Sequence, residues 1–178
     1  MNKQRLLRWH VLYTRGRHEK AVAQQLEEKK IEVYVPITKQ LRQWSDRKKW
    51  IDVPLFPNYV FIRANDIILS QSLQTPGVVK IVHFAGKAAV IREIQMKRIK
   101  RIIENSDYSE IEMNENHSGL FVKIKSGPFK GLSGILLEKK GKYKLSVRIE
   151  DLNASILVEI NLKNIVKSDF GRSFEKPE

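Results

Sequence analysis

The chain has 178 residues, 42% of them hydrophobic, no cysteine, and a formal charge of +13 with a pI near 9.9. That length holds one ordinary domain or two small ones, and the apolar content is enough for a packed core, which excludes global disorder. The lack of cysteine excludes disulfides, cysteine-ligated zinc, iron–sulfur clusters and a thiol nucleophile, and no run of 18 or more apolar residues is present to span a membrane.

The charge is unevenly spread. Residues 1–103 carry 21 Lys and Arg against 8 acids, residues 104–117 carry 5 acids and no Lys or Arg, and residues 118–178 carry 12 against 7. Two basic bodies therefore flank a short acidic segment, and a basic surface commonly meets nucleic acid. Met1 to Arg8 has no apolar core or cleavage site of a signal peptide. A cytoplasmic, monomeric protein is expected.

Residues 9–14, Trp9 to Thr14, are aromatic and β-branched and predict a strand. Arg15-Gly16-Arg17 is a turn. A helix is expected over 17–29, with Ala21, Val22 and Leu26 as its apolar side and His18, Glu19, Gln25 and Glu28 facing water. A strand follows at 32–35, closed by Pro36. Residues 38–52 predict a hairpin, because Ser45-Asp46 has turn chemistry. Its tip carries Trp44, Arg47, Lys48 and Lys49.

Pro54 to Ile62 is the most aromatic and most proline-punctuated run of the chain, and it predicts a third strand bent or placed at an edge by Pro57. Tyr59 and Phe61 then point one way, Val60 and Ile62 the other. Val60 and Ile62 are expected in the core. Phe56 and Phe61 are open between core and surface, and Tyr59 is expected at a wet edge.

A short helix is expected over 65–74, capped by Asn65 or Asp66. Strands are expected at 78–84 and 88–91, and a helix at 93–104 that buries Ile99, Ile102 and Ile103. The first body, 1–104, is thus read as α+β, an antiparallel sheet flanked by helices. Residues 105–117 read as an acidic linker. In 118–170 short alternating strands with glycine turns predict a small all-β barrel, stable as strands, and 171–178 is a tail.

Two stretches carry a family resemblance. Trp9-x-Val11-Leu12-Tyr13, then Pro54-Leu55-Phe56-Pro57-Asn58-Tyr59-Val60-Phe61, then Thr75-Pro76-Gly77-Val78 resemble the N-terminal domain of NusG-type transcription elongation factors. Val122-Lys123-Ile124-x-x-Gly127-Pro128-Phe129-Lys130-Gly131-Leu132-x-Gly134-Ile135 resembles a KOW motif, the mark of that family's C-terminal barrel. The basic hairpin and the Pro-Asn-Tyr, where the housekeeping factor more usually has Pro-Gly-Tyr, are most similar to the specialised RfaH and UpxY paralogues.

The resemblance implies an antiterminator that rides on RNA polymerase and suppresses pausing and termination in long operons. The implied contact is an apolar patch that docks on two clamp helices of the largest polymerase subunit. Its matching positions are Tyr13, Phe56, Tyr59, Phe61 and Phe84. Arg15, Arg17, His18 and Lys20 would meet the exposed non-template strand, and Trp44, Arg47, Lys48 and Lys49 upstream DNA. In the KOW motif, Gly127, Gly131 and Gly134 are expected to permit turns and close approach, and Phe129 to sit at the loop tip. A ribosomal protein, or Rho for the housekeeping factor, is the implied KOW partner. Ile68 to Ser72 stands where RfaH-type proteins carry His-Thr-Thr, so the resemblance does not extend to their gate-loop contact.

Two other function classes fit the residues less well. A basic RNA-binding or ribosome-associated KOW protein would fit the charge, yet it leaves the aromatic patch without a use. An enzyme is disfavoured, because His10, His18, His83 and His117 are scattered without metal spacing, and no P-loop or nucleophile motif is present. No cofactor and no metal are expected.

Overall fold

The computed structural model describes residues 6–43, 47–105, 109–113, 117–139 and 141–167. The first unit is organised by β1 (Arg8–Thr14), which pairs antiparallel with β5 (Tyr59–Ala64), β6 (Val78–Ile81) and β9 (Val90–Ile91). β2 (Glu32–Tyr34) pairs with the far side of β5 and completes the sheet in the order β2-β5-β1-β6, with β9 also on β1.

Helices cover both faces of this sheet. α1 (Glu19–Glu28) and α2 (Asp66–Ser72) bring Val22, Leu26 and Leu69 onto Leu12, Val60 and Ile62. α3 (Glu93–Asn105) brings Met96, Ile99 and Ile102 onto the opposite face, with Trp9, Val11 and Phe61. This explains why β1 and β5 read as nearly continuous apolar runs: a strand buried on both faces has no side on which to place polar residues. α2 begins where Asn65 Oδ1 accepts the Ile68 N–H at 2.9 Å.

β3 (Ile37–Gln43) and β4 (Lys48–Pro54) form a separate two-stranded sheet. β7 (His83–Phe84) and β8 (Lys87–Ala88) form another, turned by Ala85 and Gly86 with φ of 48° and 77°. Such a pair of positive φ values matches the strand twist of a two-residue hairpin loop.

The second unit is β throughout apart from two short 3-10 turns. β10 (Ser109–Met113), β11 (Leu120–Ile124), β12 (Ser133–Lys139), β13 (Lys142–Ile149), β14 (Ala154–Glu159) and β15 (Ile165–Lys167) pair in the order β10-β14-β13-β12-β11-β15. Among the described residues this ladder is an open path of six strands, and closure into the expected barrel is not shown. Val122, Leu145, Val147, Ile149, Ile156 and Val158 are fully buried in it.

The two units touch. Arg92 of the first unit forms ion pairs with Glu150 and Asp151, and its N–H donates to Asp151 Oδ2 at 3.2 Å. Gln95 donates to Glu150, and Arg101 Nε donates to the Pro128 carbonyl at 3.2 Å. One contiguous buried cluster includes Trp9, Phe56 and Ile102 from the first unit and Phe129, Leu132 and Leu152 from the second.

Four expectations are corrected. The run 54–62 is the end of β4, a turn at 55–58 and the start of β5, because Pro57 and Asn58 cannot continue a ladder in their conformations. Part of the supposed linker pairs with β14 as β10: the Ser-Glu-Ile-Glu-Met sequence has a strand period that its acidity conceals. Glu19 is buried rather than solvated, and Ala21 is exposed while Ala23 is buried. Phe129 packs inward at 8% exposure instead of standing at a loop tip.

Candidate functional site

The site grows from the turn between β4 and β5. Asn58 there has φ of 66°, a conformation that asparagine and glycine tolerate and bulkier residues resist. Its N–H donates to Glu19 Oε1 at 2.7 Å and its carbonyl accepts the Thr14 N–H at 2.8 Å. Its Nδ2 donates to the Tyr13 hydroxyl at 3.3 Å. One residue thus ties the first turn of α1, the end of β1 and a tyrosine side chain together.

Tyr13 and Tyr59 are register partners across β1 and β5, with ring centroids 5.9 Å apart in an edge-to-face arrangement. Both are half-buried. Lys80 Nζ lies 5.6 Å from the Tyr13 ring centroid. Burial pushes the Tyr59 hydroxyl pKa up, with a smaller contribution from Tyr13, so Tyr59 stays a neutral donor at ordinary pH. Phe84 on β7 is 53% exposed. Phe56 and Phe61, by contrast, are fully enclosed and pack edge-to-face at 5.4 Å. Their burial makes them core, in the cluster against which Tyr59 packs.

The basic residues occupy the neighbouring surface. Arg15, Arg17, His18 and Lys20 are all exposed around the β1–α1 turn. The turn is held where the Arg15 N–H donates to the Gly77 carbonyl at 2.9 Å. Gly77 has φ of 96°, and a Cβ there would stand 2.9 Å from Val22 Cγ2, so only glycine lets this crossing approach α1 so closely.

Between this turn and the β3–β4 hairpin lies a cleft of about 750 Å³. Arg17, Lys20, Lys39 and Arg42 line it, with Glu19 and Asp52 as acids among them. Arg47, Lys48 and Lys49 are exposed on the hairpin, and Lys49 is the register partner of Arg42. Trp44 lies outside the described residues. Phosphate is the natural counterpart of such a lining, while the acids can accept hydrogen bonds from amino groups.

In the second unit Gly127 and Gly131 have φ of 79° and 89°. A Cβ on Gly134 would fall 2.1 Å from the Ser146 carbonyl oxygen, so β12 and β13 could not pair there with any other residue. These glycines shape the loop whose Pro128 meets α3. Among the described residues, no three His, Asp or Glu side chains gather as a metal site.

Reading the residues alone misses Glu19 and the multiple bonding of Asn58. A carboxylate in the first turn of a helix looks solvated, and only the fold brings the 55–58 turn against it. Asparagine after proline was the available signal for a positive φ.

Comparison with known proteins bears on this surface. A family profile described as "Transcription termination factor nusG" matches residues 7–100, just over half of the chain. The Halalkalibacterium halodurans transcription termination/antitermination protein NusG is 25% identical over 173 residues, spanning 89% of this chain and 97% of that protein. Its Haemophilus influenzae namesake is 27% identical over 158 residues, spanning 79% and 84%. A solved structure of Thermotoga maritima NusG, described as showing domain interaction, superposes with a TM-score of 0.58 at 23% identity, over 90% of this chain and 97% of that one. The last likeness concerns fold alone.

Proposed function

The chain belongs to the NusG family of transcription termination factors, and from that premise we propose that it is a non-catalytic elongation factor of the specialised RfaH and UpxY type. It docks on the two clamp helices of the largest RNA polymerase subunit and suppresses pausing and termination. The observation that carries this reading is the Tyr13–Tyr59 pair, half-buried and fixed by Asn58, within the part of the chain that matches the family. Partly exposed aromatics on a rigid support make low-entropy anchors, each commonly worth about 2 kcal/mol or more when an interface closes over them.

Phe84, an exposed aromatic of the same unit, is a further anchor in this reading. Phe56 and Phe61 support it from within and share a buried cluster with residues of the second unit. The specialised assignment is favoured by Asn58, whose side-chain bond to the Tyr13 hydroxyl is one that glycine in the same conformation would lack. The cleft and the hairpin face the nucleic acid of the elongation complex, with Arg15, Arg17, His18, Lys20 and Arg47 to Lys49 near the phosphates of non-template or upstream DNA. The second unit is the natural seat for a ribosomal partner.

In vitro transcription through a terminator tests the reading. The wild-type protein raises read-through with a suitable polymerase and leader, and Tyr59→Ala removes the effect while keeping the folded circular dichroism spectrum. If the wild-type protein changes neither pausing nor read-through, the reading fails.

A further inference from the structure

α3 begins without a cap of its own. Arg92 stands at the N-cap position, because its carbonyl accepts the Gln95 N–H at 2.8 Å and the Met96 N–H at 3.1 Å. A guanidinium only donates, so the Arg92 side chain cannot take up the free N–H groups that open a helix. Gln95 occupies the third helical position. In a capping box, a Gln or Glu there reaches back to accept the N–H of the N-cap residue. Gln95 does otherwise.

The Arg92 N–H donates instead to Asp151 Oδ2 of the second unit, at 3.2 Å. Gln95 Nε2 donates to the neighbouring Glu150. A carboxylate only accepts, so the nitrogen end of the Gln95 amide is the end that faces Glu150. The other end, Oε1, has no hydrogen-bond partner among the described residues, although Gln95 is fully buried. A packed contact rarely keeps an orphaned carbonyl of this kind. Glu150 itself has little need of the bond, because it is half-exposed and already pairs with Arg92. The contact between the units thus joins a dispensable hydrogen bond to a costly orphan.

We propose that Gln95 is a two-way switch at the contact between the units. With the units docked, it donates to Glu150 and leaves the Arg92 N–H to Asp151. With the units apart, its side chain turns so that Oε1 accepts the Arg92 N–H, and α3 completes its own capping box. The helix is capped in both arrangements, so its first turn survives the departure of the second unit. Only the docked arrangement carries the orphaned oxygen, which lowers the docking equilibrium roughly 5- to 150-fold below what the shared apolar cluster would give. The contact is thereby kept reversible, independently of what closes over the tyrosine pair.

Two measurements on the full chain test this. The chain has no cysteine, so Glu28→Cys and Glu138→Cys, both at exposed positions, place one dye on each unit. Single-molecule energy transfer between them then counts docked and released molecules over a series of salt concentrations. Amide hydrogen exchange at Arg92 to Met96 reports the cap. Gln95→Met removes the orphaned oxygen in a near-isosteric, helix-favouring side chain, and is expected to raise the docked-to-released ratio roughly 5- to 150-fold. Asp151→Ala is expected to lower that ratio while the Arg92 amide keeps its protection, because Gln95 takes over. Combining the two substitutions is expected to lower protection at Arg92 to Met96 roughly 2- to 30-fold, the loss of a helix cap.

A lower docked-to-released ratio in Gln95→Met would make Gln95 an ordinary contact and overturn the switch. An unchanged ratio would overturn it too, since the orphaned oxygen would then cost nothing. So would a loss of Arg92 protection in Asp151→Ala alone as large as in the double variant, because Gln95 would not be taking over the cap. A wild-type protein that shows one arrangement at every salt concentration leaves nothing to switch and sinks the idea. Should Gln95→Met fail to fold by circular dichroism, Asp151→Ala, a change on a partly exposed turn, still decides through the Arg92 amide.

Discussion

β5 and the β3–β4 hairpin are strands in direct succession, and their residues have opposite fates. In β5 Val60, Phe61 and Ile62 are all fully buried, whichever face they point to. In the hairpin, residues 39–43 and 47–50 are all exposed. The difference is coverage. Helices close over both faces of the first sheet, so its strands are selected for packing. The hairpin forms a two-stranded sheet of its own, and most of its side chains stay at the surface. Exposure, more than residue type, separates the aromatics that hold this molecule together from those left at its surface.

The contrast can be broken by substitution. The largest effect is expected at Phe61→Ala, where losing a fully enclosed ring that packs on Phe56 should cost about 3–5 kcal/mol, read as a lowered urea midpoint. A stability change below about 1 kcal/mol would mean that β5 is not core in solution.

Next is Glu19→Ala. It removes a charge-assisted acceptor from the Asn58 N–H and leaves that half-buried donor without it, a loss of about 1–2 kcal/mol. Unlike Phe61→Ala, it should also weaken polymerase binding beyond its effect on stability, because Asn58 holds Tyr13. Equal effects of the two variants on binding would show that the tyrosines need only a folded sheet.

The third test uses pH. His10 is buried in β1, its Nδ1 lies 3.1 Å from the Ala89 carbonyl, and burial lowers its pKa below the usual 6.5, despite that hydrogen bond and Asp66. Below pH 6.5 the unfolded chain binds this proton more readily than the folded one, so stability should fall as pH drops from 6.5 through the lower folded value. His10→Gln should flatten that part of the urea midpoint profile. A wild-type midpoint independent of pH in this window would contradict a buried neutral imidazole.

The smallest effect is expected at Trp50→Ala, within about 0.5 kcal/mol of wild type in stability, for all the bulk of the residue removed. A drop comparable to that of Phe61→Ala would erase the distinction drawn between the two regions.

Much of the architecture was legible in the residues. The hairpin, the capped α2, the buried stripe of α3 and the β character of the second unit all follow from local periodicity and turn chemistry. Three things were not. Phe56 and Phe61 could not be assigned, because a strand covered on both faces shows no alternation. β10 was concealed because charge outweighed period in an acidic segment. Glu19 owes its burial to a turn thirty-nine residues away, and no local pattern announces a partner at that separation. The tyrosines were legible as candidates, while the Asn58 bonds that fix them belong to the tertiary fold.

The position of β1 has a consequence for how the protein is made. Its residues leave the ribosome first among the strands, yet they pair with β5, β6 and finally β9, which ends at Ile91. At synthesis rates of about 5–20 residues per second, that last partner arrives roughly 4–16 s after Trp9 is made. Throughout that interval Trp9, Val11 and Leu12 lack their neighbours. Until α3 emerges the apolar surface of β1 is incompletely covered, and a translational pause placed before residue 91 would lengthen that exposure.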